Sequence, residues 1–138
     1  MPAPSTEPGG VRPASAAGLY YPKDADGLRC AVQTLLGSSG KTGTSARLPK
    51  ALIVPHAGYA YSGAVAAAAY RTLDHVAAAS IRHVVLLGPS HRVKVRGLAL
   101  PSCDHFSTPF GQVRVNDEGR RRLRELGLAG IADAPHAL

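Results

Sequence analysis

The chain has 138 residues, a formal net charge of +7 and 45% hydrophobic residues, which suits one ordinary globular domain. No apolar run approaches the ~20 residues that a membrane-spanning helix needs, so we expect no membrane insertion. The first residues lack a basic segment followed by an apolar core, which excludes a typical secretory signal and indicates a cytoplasmic protein. Cys30 and Cys103 are therefore expected to be reduced thiols.

The positive charge does not by itself predict a nucleic-acid partner. The dense basic cluster is Arg120, Arg121, Arg122 and Arg124, and the tyrosines do not interleave with it as a stacking platform would. We expect no nucleic-acid binding, and we expect these arginines to face solvent without binding a ligand.

The first part of the chain contains one clear helix. Residues 1–17 are rich in proline, alanine, serine and glycine, which predicts disorder. A helix is predicted from Asp24, its N-cap, to Gly37, because Leu28, Val32, Leu35 and Leu36 recur at helical spacing. A flexible loop is predicted over 37–50.

The middle of the chain has the pattern of a βαβ unit. The apolar runs ALIV (51–54) and HVVLL (83–87) are typical of strands buried on both faces. A helix is predicted over 63–79, with Ser62 as its cap and an apolar stripe of Val65, Ala69, Leu73 and Val76. Two strands joined in this way are expected to be parallel neighbours.

Further elements are predicted in the last third. LALP (98–101) is expected to form a strand, and QVRV (112–115) alternates as a strand near a sheet edge does. Asn116 is expected to cap a short helix over 117–126, whose acidic first turn and basic later turns suit the helix dipole.

A histidine follows each strand of the βαβ unit. His56 comes shortly after 51–54 and His91 shortly after 83–87, at the carboxyl edge where open α/β sheets bind ligands. Adjacent strands lie about 4.8 Å apart and a metal–imidazole bond is about 2.1 Å long, so the two imidazoles can share one divalent ion. Tyr59, Tyr61 and Ser90 are candidate hydrogen-bonding groups beside it. The alternative is a pair of loop histidines bonded to backbone groups.

Other candidate residues carry weaker signals. Cys103, Asp104 and His105 are adjacent, but neighbours on an extended segment point to opposite faces and rarely share an ion. His136 has no recognisable local context. Cys30 is expected to pack within the first helix.

The segments AGLYYP, VPHAGYAYSG, LLGPSHR and DHFSTPFG, in this order, resemble the Memo family, whose bacterial and archaeal members are called AmmeMemoRadiSam system protein B. The resemblance implies a fold similar to the class III extradiol dioxygenases, an αβα sandwich around a largely parallel or mixed central sheet. It implies that His56 and His91 match the two family histidines of a metal pocket. A cysteine from the C-terminal half joins them in that family, and a carboxylate does so in the related dioxygenases.

The resemblance also sets the expected function. Family members are about twice as long, so we expect residues 18–138 to be the N-terminal half of such a domain, with self-association or a missing C-terminal half. The implied activity is that of a metal-dependent oxidoreductase with iron as the preferred metal and copper or zinc as alternatives, and a small-molecule or peptide ligand. The alternative is a non-enzymatic metal- or peptide-binding adaptor.

Overall fold

The computed structural model of the chain describes residues 9–38, 49–73 and 79–137. These residues fall into two compact units. The continuous unit lies within 16–84, and the discontinuous unit combines residues up to 15 with residues from 85 onward. The chain is mixed α/β, as predicted, with small sheets.

Two packed helices form the continuous unit. Helix α1 spans Ala25–Ser38, and the Asp24 carboxylate caps it as predicted by accepting a 2.7 Å hydrogen bond from the Gly27 N–H. The predicted stop at Gly37 is wrong, because Gly37 and Ser38 are still helical. Helix α2 spans Tyr59–Tyr70. Leu28 of α1 and Ala67 of α2 are buried.

Helix α2 differs from the prediction in its start and in its buried face. It begins four residues before the predicted 63, its N-cap is Gly58, and Ser62 lies buried inside it. Gly63 and Ala67 supply the buried face, whereas Val65 is 64% exposed. Small residues let α1 approach closely: a Cβ on Gly63 would meet a Leu35 methyl at 2.8 Å. The predicted stripe residue Val76 and most of the predicted loop 37–50 lie outside the described residues.

Two small sheets build the discontinuous unit. Strand β1 (Val11–Arg12) is parallel to β3 (His105–Thr108), which is antiparallel to β4 (Gly111–Arg114). In a second sheet, β2 (Leu98–Leu100) pairs in parallel with β5 (Ala129–Ile131). The strand predicted at 98–101 is thus confirmed, and the one predicted at 112–115 forms an edge strand one residue earlier.

Strand β1 lies within the segment predicted to be disordered. Residues 1–8 of that segment are outside the described part of the chain, but Val11 and Arg12 pair with His105 and Phe106. Two residues between a glycine and a proline are too few to show the alternating pattern of a strand. The strand with which they pair lies far along the chain, so no local signal marks the pairing.

Helix α3 spans Asp117–Glu125, as predicted. The side chain of Asn116 accepts a 2.8 Å hydrogen bond from the Gly119 N–H, which confirms it as the N-cap. A short 3-10 helix, Ala134–His136, follows β5. In the described ranges, no helix combines the length and apolar character needed to cross a bilayer.

The βαβ unit predicted over 51–87 is not formed by the described residues. Neither 51–54 nor 83–87 is a strand, and Ile53 is 98% exposed. A strand forms only where its backbone N–H and C=O groups meet a neighbouring strand, and neither segment has such a partner among the described residues. The prediction of strands at these two apolar runs is therefore wrong for this structure.

Candidate functional site

The segment around His56 is fixed to helix α2 and to the preceding AGLYYP segment. His56 is exposed, one residue before Ala57, whose carbonyl oxygen accepts a 2.9 Å hydrogen bond from the Ser62 hydroxyl. The Tyr59 N–H donates to the Tyr20 carbonyl oxygen at 2.9 Å. A Cβ on buried Gly58 would lie 3.4 Å from Tyr20, so glycine allows this close approach. The expected hydrogen-bonding residue Tyr61 is 89% exposed.

Tyr59, the second expected hydrogen-bonding residue, begins helix α2. Its ring lies 5.9 Å from the Tyr21 ring, centroid to centroid, at a tilt of 40°. Burial raises the pKa of the Tyr59 phenol above its usual value, and Tyr21 and Tyr70 add to the rise. The phenol therefore keeps its proton at neutral pH and can act as a hydrogen-bond donor.

His91 begins an exposed loop in the discontinuous unit. The Ser90 hydroxyl donates a 2.7 Å hydrogen bond to the Val93 carbonyl oxygen and closes a turn around His91. Because that bond uses the hydroxyl proton of Ser90, its oxygen is left to act as an acceptor toward other groups.

The two predicted metal ligands lie in different units, His56 in the continuous one and His91 in the discontinuous one. Across residues 9–38, 49–73 and 79–137, no three or more His, Cys, Asp or Glu side chains are grouped to hold a metal ion. The pairing of His56 with His91 at one ion stays a prediction.

His136, which has no local sequence signal, lies in a small pocket of the discontinuous unit that Cys103 and Asp133 also line. Its Nε2 is 3.1 Å from the Ala99 carbonyl oxygen, and its own carbonyl oxygen accepts a 2.8 Å hydrogen bond from Arg12. Burial lowers the pKa of His136; the charge of Arg12 acts in the same direction, whereas the Ala99 bond and Asp133 oppose the shift.

Cys103 is fully buried and Cys30 is exposed, and both thiols are free. The expectation that Cys30 packs within α1 is wrong, because its side chain lies on the solvent side of that helix. Asp104 and His105, the neighbours of Cys103, are engaged elsewhere: Asp104 pairs with Arg120, and His105 lies in β3.

Arg120 corrects the expectation that the arginines of α3 all face solvent. Its side chain is only 17% exposed, and Nη1 donates to three backbone carbonyl oxygens at 3.0–3.1 Å. Those oxygens belong to Pro101, Ser102 and Cys103. Burial opposes the charge, but hydrogen bonds to Asp104 and Asp117 outweigh it and raise the pKa of Arg120. No sequence pattern separates Arg120 from the neighbouring arginines.

Comparison with known proteins identifies the family. The family model described as Memo-like protein matches residues 12–132. The chain belongs to the Memo family. It is 34% identical over 126 residues to a MEMO1 family protein of Aquifex aeolicus and 36% identical over 115 residues to the memo-1 homolog of Caenorhabditis elegans. It is 35% identical over 117 residues to MEMO1 of Homo sapiens.

These matches cover most of this Memo-family chain but less than half of the length of each relative. They include 91%, 83% and 85% of this chain, and 44%, 31% and 37% of the Aquifex, Caenorhabditis and human proteins, respectively. The chain therefore spans less than half the length of the curated relatives it matches.

Proposed function

We propose that His56 and His91 of this Memo-family chain are two imidazole ligands of a mononuclear metal pocket in a metal-dependent oxidoreductase. The single observation that carries the proposal is that both histidines lie in PHAGY and GPSH, two of the segments that mark the family resemblance, inside the matched range 12–132. Iron is the preferred metal, and copper or zinc are the alternatives.

The imidazoles of His56 and His91 supply part of the ligand set that such a metal needs. Both side chains are exposed, and neutral imidazole suits iron, copper and zinc alike. Two imidazoles are fewer than the three protein ligands typical of a catalytic site, and the described residues supply no three-ligand group. We therefore propose that a third ligand comes from polypeptide outside the described residues. When bound, the metal supplies the redox chemistry.

The surrounding residues have distinct proposed roles. The Tyr59 phenol, which is protonated at neutral pH, would be a hydrogen-bond donor to the bound ligand, and the Ser90 hydroxyl oxygen would be an acceptor. The ligand is a small molecule or peptide. We propose that 51–54 and 83–87 become strands of the family's αβα sandwich when further strands pair with them. The free state of both thiols supports a cytoplasmic location.

Metal titration of the full 138-residue chain tests the proposal. Binding of Fe(II) under anaerobic conditions, and of Cu(II) and Zn(II), is measured by calorimetry and by metal content after dialysis. We expect His56→Ala and His91→Ala each to lose most of the affinity, since one imidazole cannot hold an ion against water. Affinity of the unchanged chain should fall in acid, because only a neutral imidazole can bind a metal ion.

His83→Ala is the matched control because it removes another exposed histidine of the same part of the chain. Unchanged binding by His83→Ala is expected. Wild-type metal content in the double variant His56→Ala, His91→Ala would overturn the metal site. We expect no turnover by this chain alone, because two imidazoles do not complete the ligand set. Firm metal binding by a longer protein that includes the third ligand, without oxygen consumption on any catechol-type substrate, would overturn the oxidoreductase assignment and favour the adaptor alternative.

A further inference from the structure

The loop of residues 90–97, which we name the basic loop, has an unusual charge distribution. It carries Arg92, Lys94 and Arg96, and the sequence contains no acidic residue between Asp74 and Asp104. The positive charge in this stretch is therefore not balanced locally along the chain. The loop lies within the discontinuous unit.

The three cations of the loop are exposed to solvent. Val95 between them is half-buried, and Val93 is 37% exposed. Three exposed cations, Arg92, Lys94 and Arg96, thus lie within five consecutive residues.

Three other exposed arginines of the same unit, Arg114, Arg121 and Arg122, form ion pairs. Arg114 pairs with Asp117, and Arg121 pairs with both Glu118 and Glu125. Within the part of the chain that the structure describes, no ion pair includes any of the three basic-loop cations. A partner can therefore pair with these three charges without first breaking an ion pair within the protein.

The basic loop is anchored at both ends. At its start, the Ser90 hydroxyl donates to the Val93 carbonyl oxygen. At its end, Gly97 has a φ of 76°, and the following Leu98 N–H donates to the Leu128 carbonyl oxygen at 3.4 Å. Only glycine adopts this φ readily, so the chain can turn there into strand β2. The ordered loop ends reduce the entropy lost when a partner binds.

We propose that the basic loop is a docking surface for an acidic, extended segment of a partner protein, whose carboxylates pair with Arg92, Lys94 and Arg96. Charge complementarity favours a polyanion, because three exposed cations within five residues match a ligand with several closely spaced negative charges. A single-stranded nucleic acid fits less well, since no phenylalanine, tyrosine or tryptophan lies between Tyr70 and Phe106 and His91 is the one ring in the loop on which a base could stack.

Peptide binding to the full chain tests this proposal without any metal. A short labelled peptide in which glutamate alternates with serine is titrated with the protein in the presence of a chelator, and fluorescence anisotropy is recorded. We expect saturable binding that weakens as salt is added. The triple variant Arg92→Gln, Lys94→Gln, Arg96→Gln should lower the affinity about tenfold.

The triple variant Arg121→Gln, Arg122→Gln, Arg124→Gln is the matched control, because it removes the same net charge from helix α3. It should change the affinity less than about twofold, and thermal melts check that both variants fold. Equal losses in the two variants would show a net-charge effect and overturn the proposal. Unchanged affinity in the loop variant would also overturn it, as would tighter binding of a single-stranded oligonucleotide of equal charge.

Discussion

Arg120 and Cys103 are joined across two elements of the discontinuous unit. The Arg120 guanidinium, on helix α3, donates a 3.1 Å hydrogen bond to the carbonyl oxygen of Cys103, the fully buried residue before strand β3. The same nitrogen bonds the two preceding carbonyls, and the other terminal nitrogen bonds Asp104. One guanidinium therefore binds three successive carbonyl oxygens of the turn that carries Cys103, while the Asp133 carboxylate binds the Ser102 N–H and hydroxyl of the same turn.

Replacing Arg120 by glutamine should destabilise the protein by about 2–3 kcal/mol, because largely buried carbonyl oxygens lose a charged donor. Chemical denaturation measures the free energy of unfolding. Arg121→Gln is the matched control and should cost less than about 1 kcal/mol, since its ion pairs are exposed to solvent. Equal effects of the two substitutions would contradict the role assigned to Arg120.

Gly63 is expected to tolerate no large side chain. A Cβ at this position already meets the end of Leu35 at 2.8 Å, so Gly63→Leu should destabilise the protein by about 2 kcal/mol through overpacking. Gly37, also in a helix, has open space around its Cβ position. Gly37→Leu should therefore be neutral or stabilise by about 0.5 kcal/mol through helix propensity. Thermal melts of both variants decide whether α1 and α2 pack through this contact.

Protein stability should decrease as the pH is lowered, because His136 binds a proton less readily in the folded protein. Burial lowers its pKa in the folded protein, so the unfolded chain binds the proton more readily. The stabilisation is complete above about 6.5, the usual histidine value, and is lost as the pH falls below it toward the folded-state pKa. The groups that act on its ring are the Ala99 carbonyl, Arg12 and Asp133.

The variant His136→Gln should lose part of this pH dependence, measured as the melting temperature between mildly acidic and neutral pH. His83→Gln is the control, because it removes an exposed histidine from another part of the chain. A His136→Gln profile identical to that of the unchanged chain would contradict the prediction.

Self-association is expected from the apolar segment 84–87. Its four side chains are between 73% and 81% exposed. Exposed apolar side chains, on a backbone segment that has no strand partner among the described residues, favour association with another chain. The double variant Val85→Ser, Leu87→Ser should shift the sedimentation-velocity distribution toward the monomer. Val65→Ser, which removes an exposed valine from helix α2, should not. A distribution independent of concentration in the unchanged chain would contradict the expectation.

Local sequence signals predicted α1 and α3 well, whereas α2 differs from its prediction in its start, its cap and its buried face. Asp24 and Asn116 cap α1 and α3 through bonds to backbone N–H groups three residues later. Such caps and the helical spacing of apolar residues are properties of a few neighbouring residues, so they can be recognised without knowledge of the fold. The family resemblance was likewise carried by short segments, and the family-model match supports it.

Non-local features were harder to predict. Strand β1 exists because β3, far along the chain, pairs with it, and Arg120 differs from Arg121 only through the turn it reaches. The runs 51–54 and 83–87 illustrate the opposite error, since an apolar run indicates a buried strand only where strand partners are available. For the same reason, the proximity of His56 and His91 depends on those pairings.

The order in which the units can be completed during synthesis follows from the hydrogen bond between Arg12 and the His136 carbonyl oxygen. The continuous unit lies within 16–84, so all its residues are synthesised before the last third of the chain. Residues 11–12 must instead wait for β3 and for the turn at 134–136. Until then, the nascent chain holds its first strand unpaired, so the discontinuous unit can be completed only after every residue of the continuous unit has been made.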